Sequence, residues 1–295
     1  VADAETPADP ASLIAALTAL LDVEQIDIDL YRGPQKPDGI GRVYGGQVIA
    51  QALVAATHAT PPERVVHSLH AYFMRPGDED QPIIYRVKRD HDGGSFSTRR
   101  VIAFQRGQPI LSLAASFQKR ESGLAHQAEM PAVPAPEDLP DEMELRRAFA
   151  PRVPEKWRPF FLRPRPFEMR PVGSHGWMTG ETEPPAQQIW LRAAAPVGDD
   201  PALHRAMLAY MSDMFLLGTA MRPHGVSWLD ADMQTASLDH ALWLHEDFRV
   251  DDWLLYTTDS PWAGGGRGFN RGALFTRDGR LIASAAQEGL IRQRG

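Results

Sequence analysis

The sequence predicts an α+β protein built from two antiparallel sheets, each wrapped around one long buried helix. Three observations carry this. Residues 42–59 (RVYGGQVIAQALVAATHA) and 202–221 (ALHRAMLAYMSDMFLLGTAM) are helix-length runs that are apolar on nearly every side, the pattern of a helix enclosed by other structure. Each run is followed by four strand-like segments: 65–74, 82–89, 95–105 and 109–119 in the first half, 234–245, 253–258, 268–276 and 281–291 in the second. The halves also echo one another. His70-Ala71-Tyr72-Phe73-Met74 resembles His240-Ala241-Leu242-Trp243-Leu244, and a glycine, Gly107 or Gly279, sits in the turn before each final strand.

Taken in order, residues 12–21 read as a short amphipathic helix with Ser12 at its N-cap, and 26–31 alternate apolar and acidic residues as an edge strand does. Gly45 and Gly46 open the first buried helix, and Gln47 and Gln51 interrupt its apolar surface. Arg75-Pro76-Gly77-Asp78, His91-Asp92-Gly93-Gly94 and Arg106-Gly107 supply the turns of the meander that follows. Residues 121–164 differ in kind. Proline is dense there, a helical patch occupies only 141–149, and strand alternation is lacking, so the stretch reads as a linker packed on the surface. Strands at 166–172 and 187–194 lead into the second helix, and Arg277-Asp278-Gly279 turns the chain between the last two strands. The expected division is an N-terminal module at 1–124, a proline-rich linker at 125–163 and a C-terminal module at 164–295.

A chain of 295 residues is long enough for a substantial interior. It is 43% hydrophobic and 23% charged, with no apolar run near the ~20 residues of a membrane helix, so a soluble protein without a membrane span is expected. The opening VADAETPADPAS lacks the basic and apolar regions of a secretory signal. Cysteine is absent, which excludes disulfides, thiolate metal sites and cysteine nucleophiles and fits a reducing, cytoplasmic setting. Net charge is −7 with lysines and arginines dispersed, which argues against a nucleic-acid surface while leaving local arginines to hold a small anion.

Asp213 is the charge that the second helix has least room for. Its neighbours one turn away are Ala209, Tyr210, Leu216 and Leu217, so an ionised carboxylate must find donors or shift its pKa. A carboxylate that positions or deprotonates a water fits, but the helix alone favours a satisfied core group or a place on a solvated stripe. Gln287 shares a strand face with Ala283, Ala285 and Gly289, residues small enough to leave a hollow beside its amide. In 234–245, alternation sets Thr235, Ser237 and Asp239 against Leu238, Leu242 and Leu244, which turns Ser237 to solvent unless its face lines a cleft. The serine elbow G-x-S-x-G does not occur, the glycine run 264–266 lacks the ending of a phosphate loop, and the ten histidines show no metal-ligand spacing.

The motifs RVYGGQVIAQAL, HSLHAYFMRPGD, RDHDGGSFSTRRVIAFQRGQPI, YMSDMFLLGTAMRPHG, ASLDHALWLH and DGRLIASAAQEGLIR, in this order across residues 26–292, together resemble the type II acyl-CoA thioesterases of the double-hotdog class. The resemblance implies two hotdog modules in one chain. It also implies a catalytic set of an aspartate, a hydroxyl residue and a glutamine, which falls on Asp213, Ser237 and Gln287, with serine standing where the family usually has threonine. It calls for no cofactor and no metal. The implied reaction is hydrolysis of fatty acyl-CoA by a water held among the three residues, with Asp213 as general base. Gly45 and Gly46 are candidate oxyanion donors at a helix start. Arg75, Arg99, Arg100, Arg267 and Arg271 are available for the coenzyme A phosphates, and a homo-oligomer, dimer or tetramer, is expected because hotdog sheets have open edges. The rival readings are a hotdog enoyl-CoA hydratase or dehydratase, which would pair an acid with a histidine, and a non-catalytic acyl-CoA-binding protein.

Overall fold

The computed structural model describes residues 9–36, 41–174, 178, 180–227, 230 and 232–294. In its first half come α1 (Pro10–Leu21), the short strands β1 (Glu24–Asp27) and β2 (Leu30–Gly33), α2 (Gly45–His58), and then β3 (Arg64–Phe73), β4 (Ile83–Asp92), β5 (Phe96–Gln105) and β6 (Gln108–Lys119). A segment without strands carries α3 (Glu142–Phe149) and α4 (Arg158–Phe161). The second half holds β7 (Phe167–Val172), β8 (Ala186–Ala193), α5 (Pro201–Ser212), α6 (Leu216–Thr219), β9 (Met233–Ser237), β10 (Asp239–Leu244), β11 (Leu254–Gly264), β12 (Arg267–Thr276) and β13 (Leu281–Gln293).

All thirteen strands join one antiparallel sheet in the order β1-β2-β4-β5-β6-β3-β10-β13-β12-β11-β8-β7, with β9 paired on β13. The two halves meet at β3 and β10, where Ala71 stands opposite His240 and Leu69 opposite Leu242. The helices α2 and α5 pack against each other, and Ile49, Ala52 and Leu53 of the first and Met207, Leu208 and Met211 of the second are all but inaccessible to solvent. This is the double hotdog: each sheet curls around one helix, and the two units share a continuous sheet and a continuous core.

Four local expectations are corrected. Ser12 is not the cap of α1: Asp9 is, accepting the Ser12 N–H, with Pro10 in the first turn where its missing N–H costs nothing. The stretch 26–31 is not one edge strand: it ends β1, turns at Ile28-Asp29 and begins β2, Asp29 taking a left-handed conformation with φ 55°. The helix from 202 does not run to 221. The Tyr256 hydroxyl donates to the Ser212 carbonyl oxygen at 2.8 Å and so takes up the acceptor that a continuing helix would use, and Asp213 becomes the C-cap of α5. The strand at 234–245 is likewise two strands. β9 pairs Ser237 with Gly289 whereas β10 pairs Ala241 with Ala286, a register change of one residue at Leu238.

The echoed histidines lie on opposite faces of the sheet. His70 is exposed and its ring meets Trp243 edge-on at 5.1 Å, whereas His240 is buried against the helices. The echo therefore runs one residue out of phase with the strand faces.

Candidate active site

Asp213 lies where the two halves touch. The C-terminal end of α5 delivers its carboxylate to the N-terminal end of α2, whose N-cap, Tyr44, makes no side-chain capping bond to that helix and donates its hydroxyl to the Tyr210 carbonyl oxygen instead. The Gly46 backbone N–H hydrogen-bonds the Asp213 carboxylate, so this charge serves a helix start in the other half of the protein. Two glycines make the approach possible. A β-carbon on Gly45 would fall 2.7 Å from Asp213 Oδ2, and one on Gly46 would run into the Tyr210 carbonyl oxygen.

Gln287, fully buried on β13, donates from Nε2 to Asp213 Oδ1 at 2.5 Å. The same Nε2 stands 3.3 Å from His240 Nδ1. On the far side of the imidazole, Nε2 lies 2.9 Å from Ser212 Oγ, and the Ser212 hydroxyl donates its single proton to the Ala209 carbonyl oxygen. His240 must therefore donate from Nε2 and accept at Nδ1. Burial holds it neutral, its pKa pushed down to about 4. This chain of bonds turns the Gln287 amino group, rather than its oxygen, toward Asp213. His240 was missed in the sequence reading, although it is a polar residue on the strand face of Leu242 and Leu244.

Ser237 ends β9 and donates from Oγ to Asp213 Oδ1 at 3.4 Å. The break at Leu238 places its face on a cavity rather than on open solvent. Asp213, Ser237 and Gln287 are thus brought within bonding distance from three separate elements. Burial raises the Asp213 pKa to about 6, against the opposing hydrogen bonds from Gln287, the Gly46 N–H and Ser237.

The cavity measures about 640 Å³ and is walled by Val48, Phe73, Phe167, Met214, Phe215 and Leu217 around the Asp213 carboxylate. Residues 121–164 are more than a surface linker, since Glu142, Arg146, Phe160 and Arg163 from this stretch also line it. Of the five arginines singled out in the sequence, Arg75 alone lines the cavity. Arg99 is buried and donates to the Ala59 carbonyl oxygen at the end of α2, while Arg100, Arg267 and Arg271 pair with Asp90, Glu288 and Asp259. Lys36, Arg42, Arg146, Arg163, Arg165 and Arg222 join Arg75 there, Arg146 and Arg222 being paired with Glu142 and Glu183. A second depression of about 730 Å³ shares no lining residue with this cavity; its Arg249 and Arg280 are already paired with Asp251 and Glu246.

The glycine pair does not act as one unit. The Gly46 N–H is committed to Asp213, while the Gly45 N–H has no protein acceptor among the described residues.

Comparison with known proteins agrees with the architecture. Residues 158–290 match the family model described as acyl-CoA thioesterase, and residues 34–118 match that of the acyl-CoA thioesterase N-terminal domain. The chain is 41% identical to acyl-CoA thioesterase 2 of Haemophilus influenzae over 94% of its own length and 96% of that protein. It is 40% identical to human acyl-coenzyme A thioesterase 8, covering 98% of this chain and 92% of that one. A crystal structure of an acyl-CoA thioesterase II from Mycobacterium marinum superposes with a TM-score of 0.77 at 40% identity, covering 95% of this chain and 99% of the other. The chain belongs to the type II acyl-CoA thioesterase family.

Proposed function

We propose that this protein hydrolyses fatty acyl-CoA to a free fatty acid and coenzyme A by direct attack of a water held by Asp213, Ser237 and Gln287. The observation that carries the reading is a carboxylate with a raised pKa, clamped by an amide and a hydroxyl, opening into an apolar cavity. Asp213 Oδ1 is engaged by Gln287 and Ser237, which leaves Oδ2, beside Gly45, for the water. Oδ2 takes a proton from the water as its oxygen bonds to the thioester carbon. The C–S bond then breaks, and the coenzyme A thiolate leaves with the proton that Asp213 returns. The Gly45 N–H, at the positive end of α2, is suited to the carbonyl oxygen as charge builds on it.

The geometry favours hydrolysis over hydration. A hydratase would need a histidine in contact with substrate, and His240 stands behind Gln287 and is absent from the cavity wall. Thiol release measured across acyl chain lengths, for the parent and for Asp213→Asn, tests the reading. A folded Asp213→Asn protein should lose about 10²–10⁴-fold in rate. An unchanged rate would remove Asp213 from the mechanism, and binding of acyl-CoA with no thiol release by the parent would make the protein a carrier.

The free edges of the sheet at β1 and β7 support a homo-oligomer, to be tested by sedimentation. The absence of cysteine supports a cytoplasmic setting.

A further inference from the structure

Among the described residues, the Arg165 guanidinium has no bonding partner. Its side chain lines the catalytic cavity, yet among the described residues it has no hydrogen-bond or ion-pair partner, although a guanidinium offers five N–H donors. The nearby acid, Glu142, is bonded instead to Arg146 at 2.8 Å in a buried pair that lines the same cavity. Even a half-buried cation is costly unless something pairs with it.

The backbone that carries this cation is also restrained. Arg165 lies between Pro164 and Pro166, and a residue preceding proline is confined to extended backbone, so little chain entropy remains to be lost on binding. Like charge accumulates beside it. Lys36, from the first half of the chain, lines the same cavity; burial lowers its pKa, and Arg163 and Arg165 lower it further. Burial and Arg146 push Arg165 down to about 10. On the catalytic side, the field of Arg165 reaches Tyr210, which also feels Asp213 and whose hydroxyl has no partner among the described residues. Two cations on the wall of a substrate cavity, Arg165 and the exposed Lys36, with no hydrogen-bonded or ion-paired partner among the described residues, are complementary to an anion, even with Glu142 near enough to act on Arg165.

We propose that Arg165, with Lys36 beside it, recognises an anionic oxygen group of the thioester substrate, either a phosphate of coenzyme A or a carboxylate carried by the acyl chain. This rests on the thioesterase reading given above and extends it to a specificity-determining residue.

The test uses the full chain and three thioesters: octanoyl-CoA, octanoyl-pantetheine, which lacks the phosphates, and the coenzyme A monothioester of octanedioic acid. Loss of a charge-assisted bond should raise KM by about tenfold to a hundredfold with kcat little changed. Arg165→Gln should show this, and Arg165→Lys should recover part of it. A rise for both coenzyme A esters but not for the pantetheine ester identifies the phosphate; a rise for the octanedioic ester alone identifies the carboxylate. No change with any substrate, or an equal change with all three, overturns the proposal. The parent protein gives a check free of folding effects. Adenosine 3′,5′-bisphosphate or octanedioate should raise its melting temperature whereas uncharged octanamide should not, and no shift from either anion also overturns the proposal. Should the parent release thiol from none of the esters, the catalytic reading fails by itself, and the melting shift still decides the anion site.

Discussion

Gly45, the first residue of α2, lies so close to Asp213 that a β-carbon at position 45 would fall 2.7 Å from Asp213 Oδ2 and 3.0 Å from the Phe73 ring. One residue comes from each half of the chain, so the candidate site exists only where the start of one central helix meets the end of the other. Gly45→Ala should therefore displace the carboxylate oxygen assigned to the water. The expected result is a fall in kcat of about tenfold or more, with a loss of about 1–3 kcal/mol in stability from overpacking. Steady-state kinetics beside urea unfolding checks both.

The pH dependence of the reaction should report Asp213. With its pKa near 6, the carboxylate is protonated and inactive as a base at pH 5 and ionised at pH 7. His240, near 4, stays neutral across that interval and adds no second ionisation. A plot of kcat/KM against pH should thus rise with unit slope and level off above about 6. A limb centred near the ordinary carboxylate value would show that another group controls the rate.

The contribution of Asp213 to stability should run in the opposite direction to its contribution to activity. The folded pKa of Asp213, about 6, exceeds the ordinary value of 3.8, so between these pH values the folded protein holds a proton that the unfolded chain has released. The Asp213 contribution to stability therefore falls as pH rises through this window, and above 6 its whole cost, up to about 3 kcal/mol, is present; His240, held near 4 against an ordinary 6.5, contributes in the opposite direction, so the Asp213 effect is read as a difference between variant and parent. Asp213→Asn should be more stable than the parent by about 1–3 kcal/mol at pH 8 and by nothing at pH 4. Urea midpoints at the two pH values measure this directly.

His240 is a positioning residue in this scheme, acting on Asp213 through Gln287. Replacing it with phenylalanine keeps a flat ring but removes the acceptor that orients the amide. Gln287 is then free to present its oxygen to Asp213, which disfavours the carboxylate. The acid limb of kcat/KM should move to higher pH, with kcat down by about tenfold and KM little altered. Lost packing alone would lower stability without moving the limb.

Much of this was open to reading along the chain. Periodicity marked both central helices, and alternation with turn residues marked the long strands, because each pattern follows from neighbours three and four, or two, residues apart. The ordered motifs carried the family. What misled was local pattern at the points where distant contacts intervene. The run 202–221 has helical composition throughout, yet the Tyr256 hydroxyl on β11 claims the Ser212 carbonyl and ends α5 at the residue before Asp213. The run 234–245 alternates as one strand, yet pairing with both β3 and β13 breaks it at Leu238 and puts Ser237 on the cavity.

The amino-acid sequence by itself determined the two-module α+β plan, the family and the three residues proposed for catalysis, since hydropathic period and short motifs are properties of adjacent positions. Tertiary structure alone decided that Asp213 caps a helix of the other half, that His240 stands behind Gln287, and that Arg165 reaches the cavity while Arg99 does not. Each of those relations joins residues far apart in the chain, and the path between them is set by how sheet and helices close on one another, which no local pattern encodes.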